Sequence, residues 1–485
     1  MISGKEIKVL DHNSDYFGVP PAILMENAGK GAADILLRTL DAKGKALLFL
    51  CGTGNNGGDG FVAARYLAEF CNVSIILTGK YIRTIIAKQN FLKLQKQNVT
   101  ILTKDSLSSL EDCIQKQDII VDAMLGIGFS GTLKEPYATI TRKLSSLSKI
   151  TIVSLDVPTG LGTSPAVQPQ HTITFHDSKE GMDAFSCGSI HIVDIGIPKD
   201  ALEYIGPGEL IEYYPRPIKQ SHKGENGRVL IVGGGPYIGA PALCGLAALR
   251  TGVDLVHIAT PQRSWQPIAS FSPNLIVHDL NSDLLTLGDL PFLRELMPSC
   301  DALCIGPGLG KEKETEAAIV KIILLAKEQQ KPLVIDADAI GPIAQHVQEL
   351  RHTPTVITPH AREFKLLTGV VLPFDIEKRS ELIHEWAQRL GVTILFKGPI
   401  DIISNGKEVK KNKIHNESMT VGGTGDVLAG IITGLLSKEV IPYNAARIAA
   451  FLNGSAGNEA FQKKSYGLLA TDIIDEIPSI FKKYL

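Results

Sequence analysis

Near the C-terminal end, Gly422-Gly423-Thr424-Gly425-Asp426 stands directly ahead of an apolar run, Val427 to Leu436. Glycines let a backbone come close to an anion. The free N–H groups and dipole of a helix start favour negative charge at the same place. A carboxylate there repels that anion, which makes sense if Asp426 is a base aimed at a hydroxyl that attacks a phosphate. The competing assignment is a plain helix cap. In the first half, Gly52-Thr53-Gly54-Asn55-Asn56-Gly57-Gly58-Asp59-Gly60 satisfies GxGxxG at its first glycines, a weak phosphate-cradle signal. Asn55, Asn56 and Asp59 add oxygen ligands that suit a hard cation or a polar substrate; an asparagine-rich turn that satisfies its own backbone is the alternative.

The elements that position these residues are strands followed by helices. Ala46 to Cys51 predicts a buried strand, and Phe61 to Phe70 the helix after the glycine turn. The next strand, Val73 to Thr78, runs into Gly79 and Lys80. A ribose-binding acid belongs there in a dinucleotide-dependent dehydrogenase, so that activity is disfavoured. Asp118 to Asp122 leads into a loop ending at Thr132, and Ile150 to Leu155 ends at Asp156-Val157-Pro158-Thr159-Gly160. Ligands of doubly wound sheets lie outside the carboxyl ends of the strands. The loop at 52–60, Asp122 with 126–132, and Asp156 with Thr159 are therefore expected to converge. Residues 22–40 carry apolar positions at helical spacing.

In the second half, Arg228 to Val232, Val253 to Ala259, Ala302 to Ile305, Pro332 to Ile335, Thr355 to Ile357 and Thr393 to Phe396 read as strands alternating with helices. They imply a second parallel sheet covered on both faces. Thr358 is the expected N-cap of the helix after the fifth of these, with Pro359 at its first position. The linker is placed at 213–224, between domains at 1–212 and 225–485.

At 485 residues, two or three domains are the prior. Forty-nine basic and 51 acidic residues give a net charge of −2, without the footprint of a nucleic-acid or anionic-membrane partner. Seven scattered cysteines with no CxxC point to free thiols in a reducing compartment. The N-terminal stretch lacks the apolar core of a signal peptide, and no apolar run approaches the ~20 residues that span a bilayer. A cytoplasmic protein is expected, with homo-oligomerisation left open.

LMENAG at 24–29, the 52–60 loop, DAMLGIG at 122–128, DVPTG at 156–160 and Lys179-Glu180-Gly181 resemble the NAD(P)HX epimerases, Rossmann-like proteins that interconvert the C6 epimers of hydrated nicotinamide cofactor. The resemblance implies that Asn55, Asn56, Gly57, Gly58, Asp59, Gly126, Ile127, Gly128, Phe129, Ser130, Gly131, Thr132 and Asp156 bind NADHX or NADPHX. It implies that Asn56, Asp122 and Thr159 hold potassium; similar proteins more often carry serine at 159. Asp156 is the candidate acid–base group. The second half, through TPHAREF at 358–364 and GGTGD at 422–426, is similar to the ribokinase-like superfamily. More narrowly, GGGPYIGAP at 233–241, GPGLG at 306–310, DADAI at 336–340, KGPID at 397–401 and GLLATDII at 467–474 resemble the ADP-dependent NAD(P)HX dehydratases. That likeness implies Ala240, Gly308, His360 and Asp426 at the hydrated nucleotide. It implies Lys397, Gly398, Pro399, Ile400, Asp401 and Gly425 at ADP, with magnesium as in other phosphoryl transfers. Position 401 is aspartate where similar proteins often carry threonine.

Together the resemblances imply a bifunctional repair of hydrated nicotinamide nucleotides. Two rivals stand beside it. One is a kinase of a small hydroxylated metabolite, which gives the first half no role. The other makes the first half a non-catalytic binding module.

Overall fold

The computed structural model describes residues 1–485 apart from 103–109, 130, 148 and 352. The chain divides into two compact units, Met1–Leu202 and Glu203–Leu485. The first holds a seven-stranded sheet: β1 (Ala46–Cys51), β2 (Asn72–Leu77), β3 (Thr100–Leu102), β4 (Ile119–Ala123), β5 (Thr151–Leu155), β6 (His171–Phe175) and β7 (Ser189–Val193). Its order is β3-β2-β1-β4-β5-β6-β7 and every pairing is parallel. Strands buried on both faces are near-continuously apolar: Leu47 to Cys51 are all buried, and so are Ile119 to Ala123, with Asp122 their one charged member. The chain leaves β1 toward β2 on one side and returns to β4 on the other, so a crevice opens between the ends of β1 and β4.

The second unit contains β8 (Arg228–Val232), β9 (Leu255–Pro261), β10 (Ile276–Leu280), β11 (Ala302–Ile305), β12 (Leu333–Ile335), β13 (Thr355–Ile357), β14 (Thr393–Phe396), β15 (Asp401–Ser404) and β16 (Val409–Asn412). Their order is β10-β9-β8-β11-β12-β13-β14-β15-β16. The sheet is parallel as far as β14, and β15 and β16 add an antiparallel hairpin at its edge. Apolar pattern does not disclose β16, because Lys410, Lys411 and Asn412 are polar yet buried. Lys411 resolves its burial by pairing with Glu377 at 2.6 Å and Glu203 at 3.4 Å. The run after Asp426 forms helix Thr424–Leu436, buried at every position from Val427 onward.

The units divide at Leu202, ahead of the expected linker at 213–224. Pro207–Tyr213 is helical, and its Glu209, fully buried, pairs with the equally buried Arg447 at 2.8 Å. This helix is therefore part of the second unit, not the end of the first. Among the described residues no helix is long and apolar enough to cross a membrane.

Candidate functional site

In the first unit a cavity of about 500 Å³ opens at the carboxyl ends of the strands. Leu24, Met25 and Ala28, from helix Pro21–Arg38, form an apolar wall. The neighbouring Glu26 and Asn27 hold the scaffold: Glu26 takes a forked hydrogen bond from Arg65, and Asn27 donates to the Ile195 carbonyl. The expected glycine turn is shorter than the pattern implied. The helix runs Asn55–Leu67, so Asn55 to Gly60 already belong to it. Their glycines serve close packing: a Cβ on Gly57 would lie 2.0 Å from the Gly52 carbonyl oxygen, and one on Gly58 2.7 Å from the Met25 sulfur.

Asp156 follows β5 with φ +65°, a conformation rare for a side-chain-bearing residue and a form of strain that gathers at functional sites. Its Oδ2 accepts from the Ile127 N–H at 2.8 Å, and its Oδ1 lies 3.0 Å from Lys179 Nζ. Lys179 is almost wholly buried and also donates to Thr174 Oγ1 and the Phe175 carbonyl. A Cβ at Gly126 would come within 2.6 Å of Asp156 Oδ2, which is why that position carries none. Asp59 lines the same cavity and accepts no hydrogen bond from a described residue. Burial, then the charges of Asp156 and Asp11, push its carboxyl well above the usual range, with Lys179 opposing.

Asp122, one residue before the end of β4, is fully buried. It accepts from the Met124 and Thr159 N–H groups and from the Ser154 and Thr159 hydroxyls. Burial still raises its proton affinity against these four donors. Both polar atoms of the Asn56 side chain are buried without a partner. An orphaned amide, together with a buried carboxylate and a hydroxyl, is a donor set that suits an alkali cation. Of the expected positions, Asn55, Asn56, Asp59, Gly126 to Phe129 and Asp156 line the cavity. Gly57 and Gly58 face inward, Gly131 and Thr132 are not among the lining residues, and Ser130 lies outside the described residues.

In the second unit the corresponding ends of β12, β13 and β14 bring Asp336, the 358–363 turn and Lys397 to the start of helix Thr424–Leu436. Asp336 Oδ1 accepts from Lys397 Nζ and from Thr358 Oγ1, each at 2.7 Å. Glu363 Oε2 stands 3.8 Å from the same ammonium, and a Cβ on Gly425 would stand 3.5 Å from it. Asp338 accepts from the Gly310 N–H, tying the 306–310 loop to the group. Burial first, then the negative charges of Asp336, Asp338 and Glu363, push the Asp426 carboxyl up to about 7, while Lys397 holds it down. The N-cap is Gly423, at φ +99°, and no side chain caps the helix. Asp426 is thus not the cap, and the first N–H groups remain available to an anion.

The cap expected at Thr358 moves two residues along. Helix Ala361–Thr368 is capped by His360, whose Nδ1 accepts from the Arg362 and Glu363 N–H groups. Thr358 lies two residues ahead of that cap and donates its hydroxyl proton to the buried Asp336 carboxylate. Asp401 accepts from the Gly398 N–H and from Asn412 Nδ2, so its carboxylate closes the 397–401 turn; Pro399 is exposed and Ile400 half-buried at that turn. Gly308 (φ +71°) passes against the Tyr237 carbonyl, and Ala240 begins helix Gly239–Arg250. Lys179, Asp336, Asp338 and Glu363 join these sites beyond the residues expected from the sequence. The signal for Lys179 was the KEG motif, for Asp336 and Asp338 the paired acids of DADAI at a strand end, and for Glu363 its place in TPHAREF.

A family described as NAD(P)H-hydrate dehydratase matches residues 229–479, and one described as the YjeF-related protein N-terminus matches residues 21–181. A bifunctional NAD(P)H-hydrate repair enzyme of Archaeoglobus fulgidus is 39% identical over 98% of this chain and 97% of its own. Another, of Pyrobaculum aerophilum, is 38% identical over 100% of this chain and 98% of its own. A solved ribokinase-like superfamily protein from Enterococcus faecalis superposes with a TM-score of 0.51 at 27% identity, covering 58% of this chain and 96% of that one.

Proposed function

This chain belongs to the family of bifunctional NAD(P)H-hydrate repair enzymes, and we propose that its two units divide the work as epimerase and nucleotide-dependent dehydratase through the residues described above. The enzyme repairs hydrated nicotinamide cofactors, whose C6 hydroxyl arises in either configuration. The dehydratase would use one epimer, and the epimerase makes the other available to it.

The observation that carries the dehydratase reading is Asp426, a carboxyl poised at about 7 beside the uncapped start of a buried helix. Such a group takes a proton most effectively near neutral pH. Asp426 would remove the C6 hydroxyl proton as that oxygen attacks the terminal phosphoryl of ADP and AMP departs. The amides at Gly425 and Asp426 and the Lys397 ammonium would balance the charge on the transferring group. The C6–O bond then breaks toward phosphate with help from the ring nitrogen, and loss of a C5 proton restores the dihydropyridine. Magnesium would arrive on the diphosphate, a hard cation that keeps part of its water shell there.

In the epimerase unit Asp156, held by Lys179 and the Ile127 amide, is the acid–base group at C6. Reversible loss of the hydroxyl scrambles the configuration without net redox change. Potassium, if held by Asn56, Asp122 and Thr159, would fix the loops around the cavity and supply positive potential there. The orphaned Asn56 amide supports that assignment.

One assay tests the whole reading: mixed-epimer NADPH hydrate with ADP, followed at the absorbance of the reduced ring. Complete conversion with AMP and phosphate released is expected. Conversion that stops when one epimer is exhausted contradicts the epimerase half, and a stable phosphorylated product favours the kinase alternative.

A further inference from the structure

The cavity of the first unit runs across strand ends in their spatial order. Lys179 and Asp156 lie beyond β6 and β5, Gly126 beyond β4, Asn56 beyond β1, and Arg83 and Thr84 beyond β2. With the nicotinamide at Asp156, which rests on the epimerase reading above, the helix start at Asn55 meets the diphosphate. The adenosine half then falls at the end of β2. In sheets of this kind that position selects the adenosine ribose: an acid suits a free 2′-hydroxyl, and a nearby arginine suits a 2′-phosphate.

No acid stands there in this chain, where Thr78-Gly79-Lys80 follows β2. Arg83 instead lines the cavity. Its N–H donates to the Thr53 carbonyl at 2.8 Å and its Nε to Thr53 Oγ1 at 2.9 Å, which fixes the direction of the guanidinium. The two terminal nitrogens meet no acceptor or carboxylate among the described residues. Thr84, the next residue, also lines the cavity, and its hydroxyl is buried with no partner. Thr84 stands at the head of helix Ile85–Leu94 without capping it. The acids around the cavity gather at its other end, where Asp59 feels Asp156, Asp11 and Lys179. A preoriented arginine with free donors, next to an orphaned hydroxyl, is built for a phosphate dianion.

We propose that Arg83, aided by the Thr84 hydroxyl, receives the adenosine 2′-phosphate in the epimerase, so that this unit prefers NADPHX to NADHX. The test compares epimerisation of the two hydrates by wild type, Arg83→Met and Lys80→Met. Arg83→Met lowers kcat/KM for NADPHX by about 10- to 100-fold, the worth of a charge-assisted hydrogen bond, and changes NADHX by less than about 2-fold. Lys80→Met, which removes a charge outside the cavity lining, leaves the discrimination as it is. Equal losses on both hydrates, or discrimination lost equally in both variants, overturn the proposal. Calorimetric titration of the full-length protein with adenosine 2′,5′-bisphosphate gives a second readout that needs no turnover. Arg83→Met weakens that binding about 10-fold, and unchanged binding overturns the proposal. A wild type that epimerises neither hydrate refutes the epimerase reading, and the titration still decides the anion site.

Discussion

The Lys397 ammonium stands 2.7 Å from Asp336 Oδ1, and this pairing sets the charge balance at Asp426. One cation faces three carboxylates besides Asp338, and burial raises the proton affinity of both Glu363 and Asp426 around it. Carboxylates packed this closely around one cation make each other's ionisation harder.

Replacing Lys397 by Met removes the charge that holds Asp426 down. The acid limb of the dehydration pH–rate profile should then move up by about one unit, and the KM for ADP should rise. An unmoved limb with only a higher KM would assign Lys397 to nucleotide binding alone.

Asp426 also links stability to pH. Its folded value of about 7 exceeds the ordinary 3.8, so the native state binds the extra proton between those limits. Stability contributed by the protonated form is therefore lost as pH rises from about 4 to 7. A full shift corresponds to ~4 kcal/mol, and partial exposure to water leaves on the order of 2 kcal/mol. Asp426→Asn should raise the melting temperature at pH 8 and leave it nearly unchanged at pH 4. Equal effects at both values would deny the shift.

Asp122→Ala should slow epimerisation and abolish any dependence on potassium, while dehydration of the directly usable epimer persists. Potassium titrations of both activities check this. Comparable damage to the two would mean that the substitution unfolds more than the first unit's site.

The buried Glu209–Arg447 pair defines where the chain can be cut. A fragment of residues 203–485 should fold and dehydrate. One beginning at 213 leaves Arg447 buried without its carboxylate, a loss of about 3–5 kcal/mol, and should melt well below the longer fragment. Matching melting curves would show that the pair carries no such weight.

These residues also show what the sequence could disclose. Strand positions were readable because parallel strands covered on both faces must be apolar, as Leu47 to Cys51 are. Asp156, Asp122 and Asp426 were readable because strand-end and helix-start acids are costly without a purpose. The start of helix Asn55–Leu67 was not, since Asn-Asn-Gly-Gly reads as a turn until Met25 and Gly52 are seen pressed against its glycines. His360 and not Thr358 is the cap because the helix starts at Ala361, two residues later than the Thr-Pro pair implies. The KEG motif marks Lys179 but not its role: its partner Asp156 lies on a different strand end, and only the folded sheet joins them.

Asp426→Asn tests the central assignment most directly, read as the rate of ADP-dependent dehydration of the usable epimer. The substitution keeps size and hydrogen bonding but removes the capacity to accept a proton. A positioned general base contributes ~10²–10⁴-fold, so the rate should fall by that order. ADP affinity should hold or improve with one negative charge gone from beside the phosphates, and epimerisation should continue. Because Gly423 and not Asp426 is the cap, loss of helix stability offers no other route to such a drop. Near-wild-type dehydration by the folded variant would contradict the assignment and leave the glycine turn as a binding element only.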